Sequence, residues 1–497
     1  MSVMTSLARV LAAEQGRPQQ ITVYRHLPIS AQPIVIVPIT LAGETNAPLA
    51  VMVGQDRQRP EVIVTRQPRE RSERLRFAER LASVLLLPIQ SMADDKERFD
   101  RGKGPIERAR QAPQIWVPNP GGVNYVRLLG RMTRFRHTDG PWAVAPSVRR
   151  LGLWLTWFGE QAEFADTSVL VSTTSALGAM WATGQSAVED GNLAAIMAWL
   201  APPNGLSLID AMRRAEDPAR CPPAGPATDP TFDRLFLEPT LKALSATTTE
   251  LTRRQVFARL TTLLVEQMRP TWDLMWQAID LLRQMPAAPG VAQRWETQRD
   301  EFTWYDNQLR TVGLPQPKRD NAVRSARRLG DMERRLAAYD AQRAYDDPLV
   351  MADFRLEGEA FSGRVVSAEP HRRVPAARGT KLRPLVTVFT EDPIRLEDRQ
   401  SVYDPSRNGQ QAIIIGIDRV GDGWEVTIEL QNKMGRGRTP EPGTVPQPGD
   451  DVLYSALAPQ FAGRGQNWPA PDQTPWTHGG PPLTYRPATE DAVEDWS

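Results

Sequence analysis

Cysteine occurs once in the chain, at Cys221, within the loop Arg220-Cys221-Pro222-Pro223. A lone thiol excludes an intramolecular disulfide framework and any cysteine-based zinc cluster, and it fits a reducing compartment. Its proline setting reads as an incidental loop position rather than a nucleophile. Lysine is scarce as well: six of the 60 basic residues are lysine and the rest are arginine. The codon bias of a GC-rich genome accounts for that, although guanidinium forks also suit phosphate. Long apolar runs are missing. The longest, Leu151 to Phe158 and Ala194 to Ala201, are far below a membrane span of roughly 20 residues. The opening MSVMTSLARVLAAEQGR lacks a basic region followed by an apolar core and a small-residue cleavage site. A cytoplasmic chain with no membrane partner is expected.

Signatures of catalysis are also lacking. Arg101-Gly-Lys-Gly-Pro has glycines and a lysine, but no Ser or Thr and no preceding strand, so it is not a phosphate loop. No GxGxxG follows a strand, and no GxSxG elbow is present. His26, His137, His371 and His478 lie more than 100 residues apart, without a His or Cys close by. The acidic pairs Asp94-Asp95, Asp346-Asp347 and Asp450-Asp451 read as solvated loops. Asp56 and Glu61 precede Val62–Arg66 in the manner of a restriction-type nuclease, yet no lysine follows where that chemistry needs one. No catalytic residue, metal ligand or cofactor is expected.

What is present indicates an ordered, multidomain α+β protein. The 497 residues are 41% apolar and 24% charged, which is globular rather than disordered composition, and too long for one ordinary core. Residues 1–146 read as a small basic α+β unit. Its strands are Gln20–His26, Pro33–Ala42, Leu49–Gly54 and Glu61–Arg66, followed by a helix from about Arg69 to Leu87 with Leu75, Phe77, Ala78, Leu81 and Leu85 on one side. Residues 147–289 read as an all-helical, Trp-rich domain. Ser186 with Glu189 and Ser207 with Asp210 make capping patterns, Asp229-Pro230 opens a helix, and Pro270 should kink or divide the segment Leu251 to Met285. The tryptophans Trp154, Trp157, Trp181, Trp199, Trp272 and Trp276 read as core. Residues 290–348 form two charged helices, a hairpin or stalk, the second carrying a narrow stripe of Val323, Ala326, Leu329, Met332, Leu336 and Tyr339. Residues 349–458 carry five strand candidates, Phe361–Ser367, Leu385–Thr390, Gln411–Asp418, Trp424–Leu430 and Asp451–Ser455, which suggest a small β-barrel, with Ile413, Ile415 and Ile417 on one face. Residues 459–497 read as a disordered acidic tail rich in Pro and Gly.

Charge is uneven along these segments. Residues 1–150 carry 23 basic and 13 acidic side chains, whereas residues 151–250 carry 5 and 12. The densest basic stretch is Arg127, Arg131, Arg134 and Arg136 with His137, followed by Arg149 and Arg150, interleaved with Tyr125, Phe135 and Trp142. Cations that track phosphates beside aromatics that stack on bases suit nucleic acid. The same arginines would also pair with the acidic segment next to them. Both readings stay open.

Helices followed by a small barrel over about 290–458 resemble the stalk and barrel of superfamily-one helicases related to the nonsense-mediated-decay helicase. Phe361-Ser-Gly-Arg-Val-Val resembles the opening strand of that barrel, and Pro448-Gly-Asp-Asp-Val-Leu-Tyr its closing one. The motor motifs of that family are absent. The resemblance implies a module that grips nucleic acid or docks onto a separate ATPase or helicase motor. The expected function is a non-enzymatic accessory subunit of a nucleic-acid-processing assembly, such as defence or repair. The alternatives are a purely protein-binding scaffold and a divergent metal-dependent nuclease.

Overall fold

The run Ile34–Leu41 has no polar face, and all eight of its residues are buried. A strand of that kind needs cover on both sides. The computed structural model describes residues 2–458 apart from 101–103, 224, 314–315, 318–319, 321 and 378. In it Ile34–Leu41 is β1, at the centre of a five-stranded sheet. β2 (Glu44–Gly54) and β3 (Glu61–Val64) continue antiparallel on one side, while β4 (Ile115–Val117) and β5 (Leu170–Ser172) join in parallel on the other. The order is β3-β2-β1-β4-β5. Alternate side chains of β1 enter two different cores. Val35, Val37 and Ile39 meet Trp272, Met275 and Ile279, whereas Ile34 and Ile36 meet Phe77, Leu81 and Trp154.

The chain opens with α1 (Val3–Gln15). One face of the sheet is covered by α2 (Arg71–Asp94), α3 (Pro120–Thr133) and α4 (Pro146–Gln161), and the other by α5 (Glu250–Gln284). Residues 1–146 and 147–289 therefore share one sheet, the second segment supplying β5 and α5. The six tryptophans expected in the core are all buried. Trp154 and Trp157 form one aromatic cluster with Phe302 and Tyr305, with ring centroids 5.0 Å apart for Trp154–Tyr305 and 5.4 Å for Trp157–Tyr305. Trp272 and Trp276, one turn apart on α5, meet edge to face at 5.9 Å.

One local expectation narrows and another changes. Of the two outcomes expected at Pro270, division is excluded, because the residue lies inside the single helix α5. The lost N–H is outweighed by burial of Met268, Thr271, Trp272 and Met275 on either side. Gln20–His26 is not a strand beyond the short pairing of Gln19–Gln20 with Trp181–Ala182. Its backbone donors go elsewhere: Ile21 N to Met180 O, Arg25 N to Pro286 O, and Val23 N and Tyr24 N to the Asp347 carboxylate.

Beyond α5 come α6 (Gly290–Thr311), α7 (Ala322–Asp346) and α8 (Pro348–Glu357). α6 is tied into the aromatic cluster through Phe302, Tyr305 and Leu309, while α7 buries only Val323, Ala341 and Ala344. The strands that follow are β6 (Ala360–Glu369), the hairpin β7 (Arg373–Pro375) and β8 (Thr380–Leu382), then β9 (Leu385–Thr390), β10 (Ser401–Asp404), β11 (Gln410–Val420), β12 (Gly423–Leu430) and β13 (Asp451–Ser455). Six of them close an antiparallel barrel in the order β6-β9-β12-β11-β10-β13. The strand beyond the five expected from sequence is β10, only four residues long. Ile413 and Ile415 do share a face, but it is the outer one. Ala412 and Ile414 fill the barrel, and a register shift between Ile414 and Gly416 brings Ile417 back against its core. The stretch 459–497, expected as a tail, lies outside the described residues. No helix among the described residues is long and apolar enough to cross a membrane.

Candidate functional site

The arginines singled out by sequence are mounted on α3 and the start of α4. α3 begins where β4 ends: Asn119 caps it by accepting from Gly122 N at 3.2 Å, and Pro120 occupies the first turn. The helix then lies unusually close to α4. A Cβ on Gly130 would stand 2.7 Å from Thr156 N, and one on Gly159 would stand 2.5 Å from the Arg127 Cγ. Glycine at these two positions lets α3 press against α4. The close crossing sets Arg127, Arg131 and Arg134 in a row beside the acidic end of α4.

With Arg328 of α7, these three residues surround a cavity of about 270 Å³ that also meets the carboxylates of Glu160, Glu163 and Asp320. Arg127 pairs with Glu163, and Arg328 reaches the same carboxylate at 2.6 Å and Glu160 at 3.8 Å. Arg134 lies 4.5 Å over the Phe135 ring and donates to Gln316 Oε1 at 3.4 Å. Burial is the main cause that lowers the Arg127 and Arg134 values, and neighbouring Arg131 adds to both. Burial also raises the Glu160 carboxyl, against the pull of Arg328 and Arg134. Arg131 is exposed and makes no ion pair among the described residues. Arg127 and Arg131 also border a second groove of about 470 Å³, with Thr40, Asn124, Tyr125 and Pro226; the buried Tyr125 hydroxyl finds no hydrogen-bond partner.

The remaining three arginines are placed differently. Arg136 is only 6% exposed, and its Nε donates to Met132 O at 2.8 Å, closing the end of α3. That inward turn withdraws it from the solvent-facing row. Arg150 donates to Gln90 Oε1 at 3.0 Å across to α2, and Arg149 beside it is half-buried. Sequence reasoning missed Arg328, because nothing local on α7 indicates that it faces α4.

The other candidates for chemistry are spread across the molecule. His26 is buried against Asp347, His137 lies 3.9 Å from Asp139, His371 is exposed on the barrel, and His478 lies outside the described residues. The acidic pairs are engaged rather than free: Asp94 with Arg310, Asp95 with Arg110, Asp346 with Gly290 N and Asp451 with Arg364. Asp56 accepts from Gln58 N in the turn before β3, and Glu61 opens that strand exposed. Among the described residues no three His, Cys, Asp or Glu side chains cluster closely enough to hold a metal ion. Burial pushes the Cys221 thiol up, away from the reactive thiolate. Compared with protein-family models, with curated proteins and with solved structures, the chain finds no match.

Proposed function

We propose that this chain is a non-enzymatic accessory subunit of a nucleic-acid-processing assembly, one that contacts nucleic acid, a separate helicase motor, or both. The observation that carries the reading is the row Arg127, Arg131 and Arg134 along α3 and its C-cap, which gathers with Arg328 around one cavity and leaves Arg131 exposed and without an ion pair among the described residues. Such a row suits the regular spacing of a phosphate backbone. The order of helices and closed barrel over 290–458 is the one on which the helicase resemblance rests, and it agrees with an accessory role. The test is fluorescence anisotropy of a labelled oligonucleotide across a salt series. The expected result is affinity that falls steeply with salt, with Arg131→Ala weakening it several-fold and flattening the slope by about 0.7–0.9. Affinity that ignores both salt and Arg131 sinks the reading.

A protein-only scaffold is the second reading, and one feature favours it. Val3, Leu7 and Val10 lie on one side of α1 and are 55%, 51% and 55% exposed. An apolar stripe of that kind suits a partner chain. Affinity capture from the native cell, with and without nuclease, separates the two. Nuclease-resistant partners with neither a motor nor nucleic acid favour the scaffold.

A further inference from the structure

We infer that one end of the barrel is a second phosphate-backbone surface, contacting nucleic acid without regard to base sequence. This inference rests on the nucleic-acid reading above and adds a contact remote from α3 in the chain. Barrel register places three connections at one end. β6 finishes at Glu369 opposite Leu385, β12 finishes next to Leu385 through Glu429, and β10 hands over to β11 at Asp404–Gln410. The 370–384 hairpin, the 405–409 turn and the long 431–449 loop therefore meet there. Direct bonds confirm the convergence: Arg373 Nη1 donates to Arg438 O at 2.7 Å, and Lys433 Nζ bonds Asn408 O.

The composition of this end is one-sided. Residues 371–383 contain five Arg or Lys and no acid, and residues 431–440 contain three and no acid. Some of that charge is neutralised, since Arg372 and Arg383 share Glu429 and Arg407 pairs with Asp404. What remains is Arg373, Lys381, Lys433, Arg436 and Arg438, all exposed and without a carboxylate partner among the described residues. Glu441 is the only acid of the 431–449 loop.

The chemistry of the partner follows from what accompanies these cations. None of the exposed large apolar side chains falls within 370–384 or 431–449. A protein interface draws its energy from apolar and aromatic anchors, which this surface lacks. Among the described residues these segments expose no Phe, Tyr or Trp on which a base could stack, only the smaller imidazole of His371. The Glu441 side chain packs against Gly435, next to Arg436, and offsets part of the charge of this loop. Cations alone suit counterion release from a phosphate backbone, which carries affinity but no sequence information.

The test uses the full chain, anisotropy with a labelled oligothymidine and a mixed-sequence duplex, and a salt series. The triple variant Lys381→Ala, Arg436→Ala and Arg438→Ala removes exposed side chains, so its thermal unfolding should match the parent. Its affinity should fall about tenfold or more, and the log–log salt slope should flatten by about 2–3. Arg436→Lys with Arg438→Lys should keep both, and oligonucleotide composition should matter little. A triple variant that binds like the parent while Arg131→Ala weakens binding overturns this surface and leaves the broader reading standing. A parent chain that binds neither probe removes both. Polyglutamate that competes as well as an oligonucleotide of equal charge overturns the assignment to nucleic acid.

Discussion

Asp347 gathers four donors on one carboxylate that is shut off from solvent. Its Oδ2 accepts from Val23 N at 2.7 Å and Tyr24 N at 3.0 Å and faces His26 Nε2 at 3.2 Å, while Oδ1 caps α8 through Leu349 N at 2.9 Å. One side chain thus ties the segment before β1 to the junction that leads into the barrel. Removing it strands buried donors, so Asp347→Ala should cost about 3 kcal/mol or more, and Asp347→Asn less. Urea unfolding measures this, and an Ala variant of parental stability would dismiss the network as a stabilising element. The partner histidine makes a pH prediction. Burial is the main cause that holds His26 below the ordinary imidazole value, with Arg343 and Arg294 adding to it and the Asp347 contact opposing. Because the unfolded state takes up the proton first, stability is full above the unfolded value and is lost as pH falls through it. Melting temperature should therefore drop between about pH 7 and pH 5, and His26→Gln should flatten that part of the profile. The sequence made His26 visible only as an isolated histidine, because its partner is 321 residues away.

At the scale of elements, the α3–α4 crossing decides where the arginines stand. Gly130→Ala would place a Cβ against the Thr156 backbone, which cannot swing aside as a side-chain tip would. The change should cost about 1–3 kcal/mol and alter the salt response of nucleic-acid binding, because the arginine row moves with α3. Gly178, at the end of the helix Thr173–Gly178, has open space where its Cβ would be. Gly178→Ala should be neutral or stabilise by up to about 1 kcal/mol, which makes it the control. Equal melting temperatures for the two variants would argue against close packing at the crossing. Much else at this scale was legible beforehand. Ser186 and Glu189 form the capping box their spacing suggests, and Ser207 and Asp229 cap the helices they precede. Caps depend on residues three or four apart, and that distance a sequence contains. β10 escaped notice because four residues carry too little alternation to stand out.

For the whole molecule, the shared sheet makes a prediction about fragments. Residues 1–146 alone lack α5, which covers Val35, Val37 and Ile39, and also lack β5 at the sheet edge. That fragment should fail to unfold cooperatively and should bind a hydrophobic dye, whereas 1–311 should retain a cooperative transition. A sharp, reversible transition from 1–146 would contradict the two-sided core. The barrel carries its own polarity. Its basic end faces away from the end that holds a groove of about 900 Å³, where Glu357, Glu359, Glu397 and Asp398 outnumber Arg395 and Arg399. The sequence by itself determined that β1 is a strand, that the six tryptophans from Trp154 to Trp276 are core, and where the strands of the barrel other than β10 lie. Each of these is a short-range pattern of apolar and polar residues, and burial follows from it directly. Tertiary structure alone decided which cations are available. Arg127 and Arg328 are drawn onto Glu163, Arg136 turns inward, and Arg131, Lys381, Arg436 and Arg438 stay exposed, because charge pairing depends on carboxylates that packing brings from distant elements.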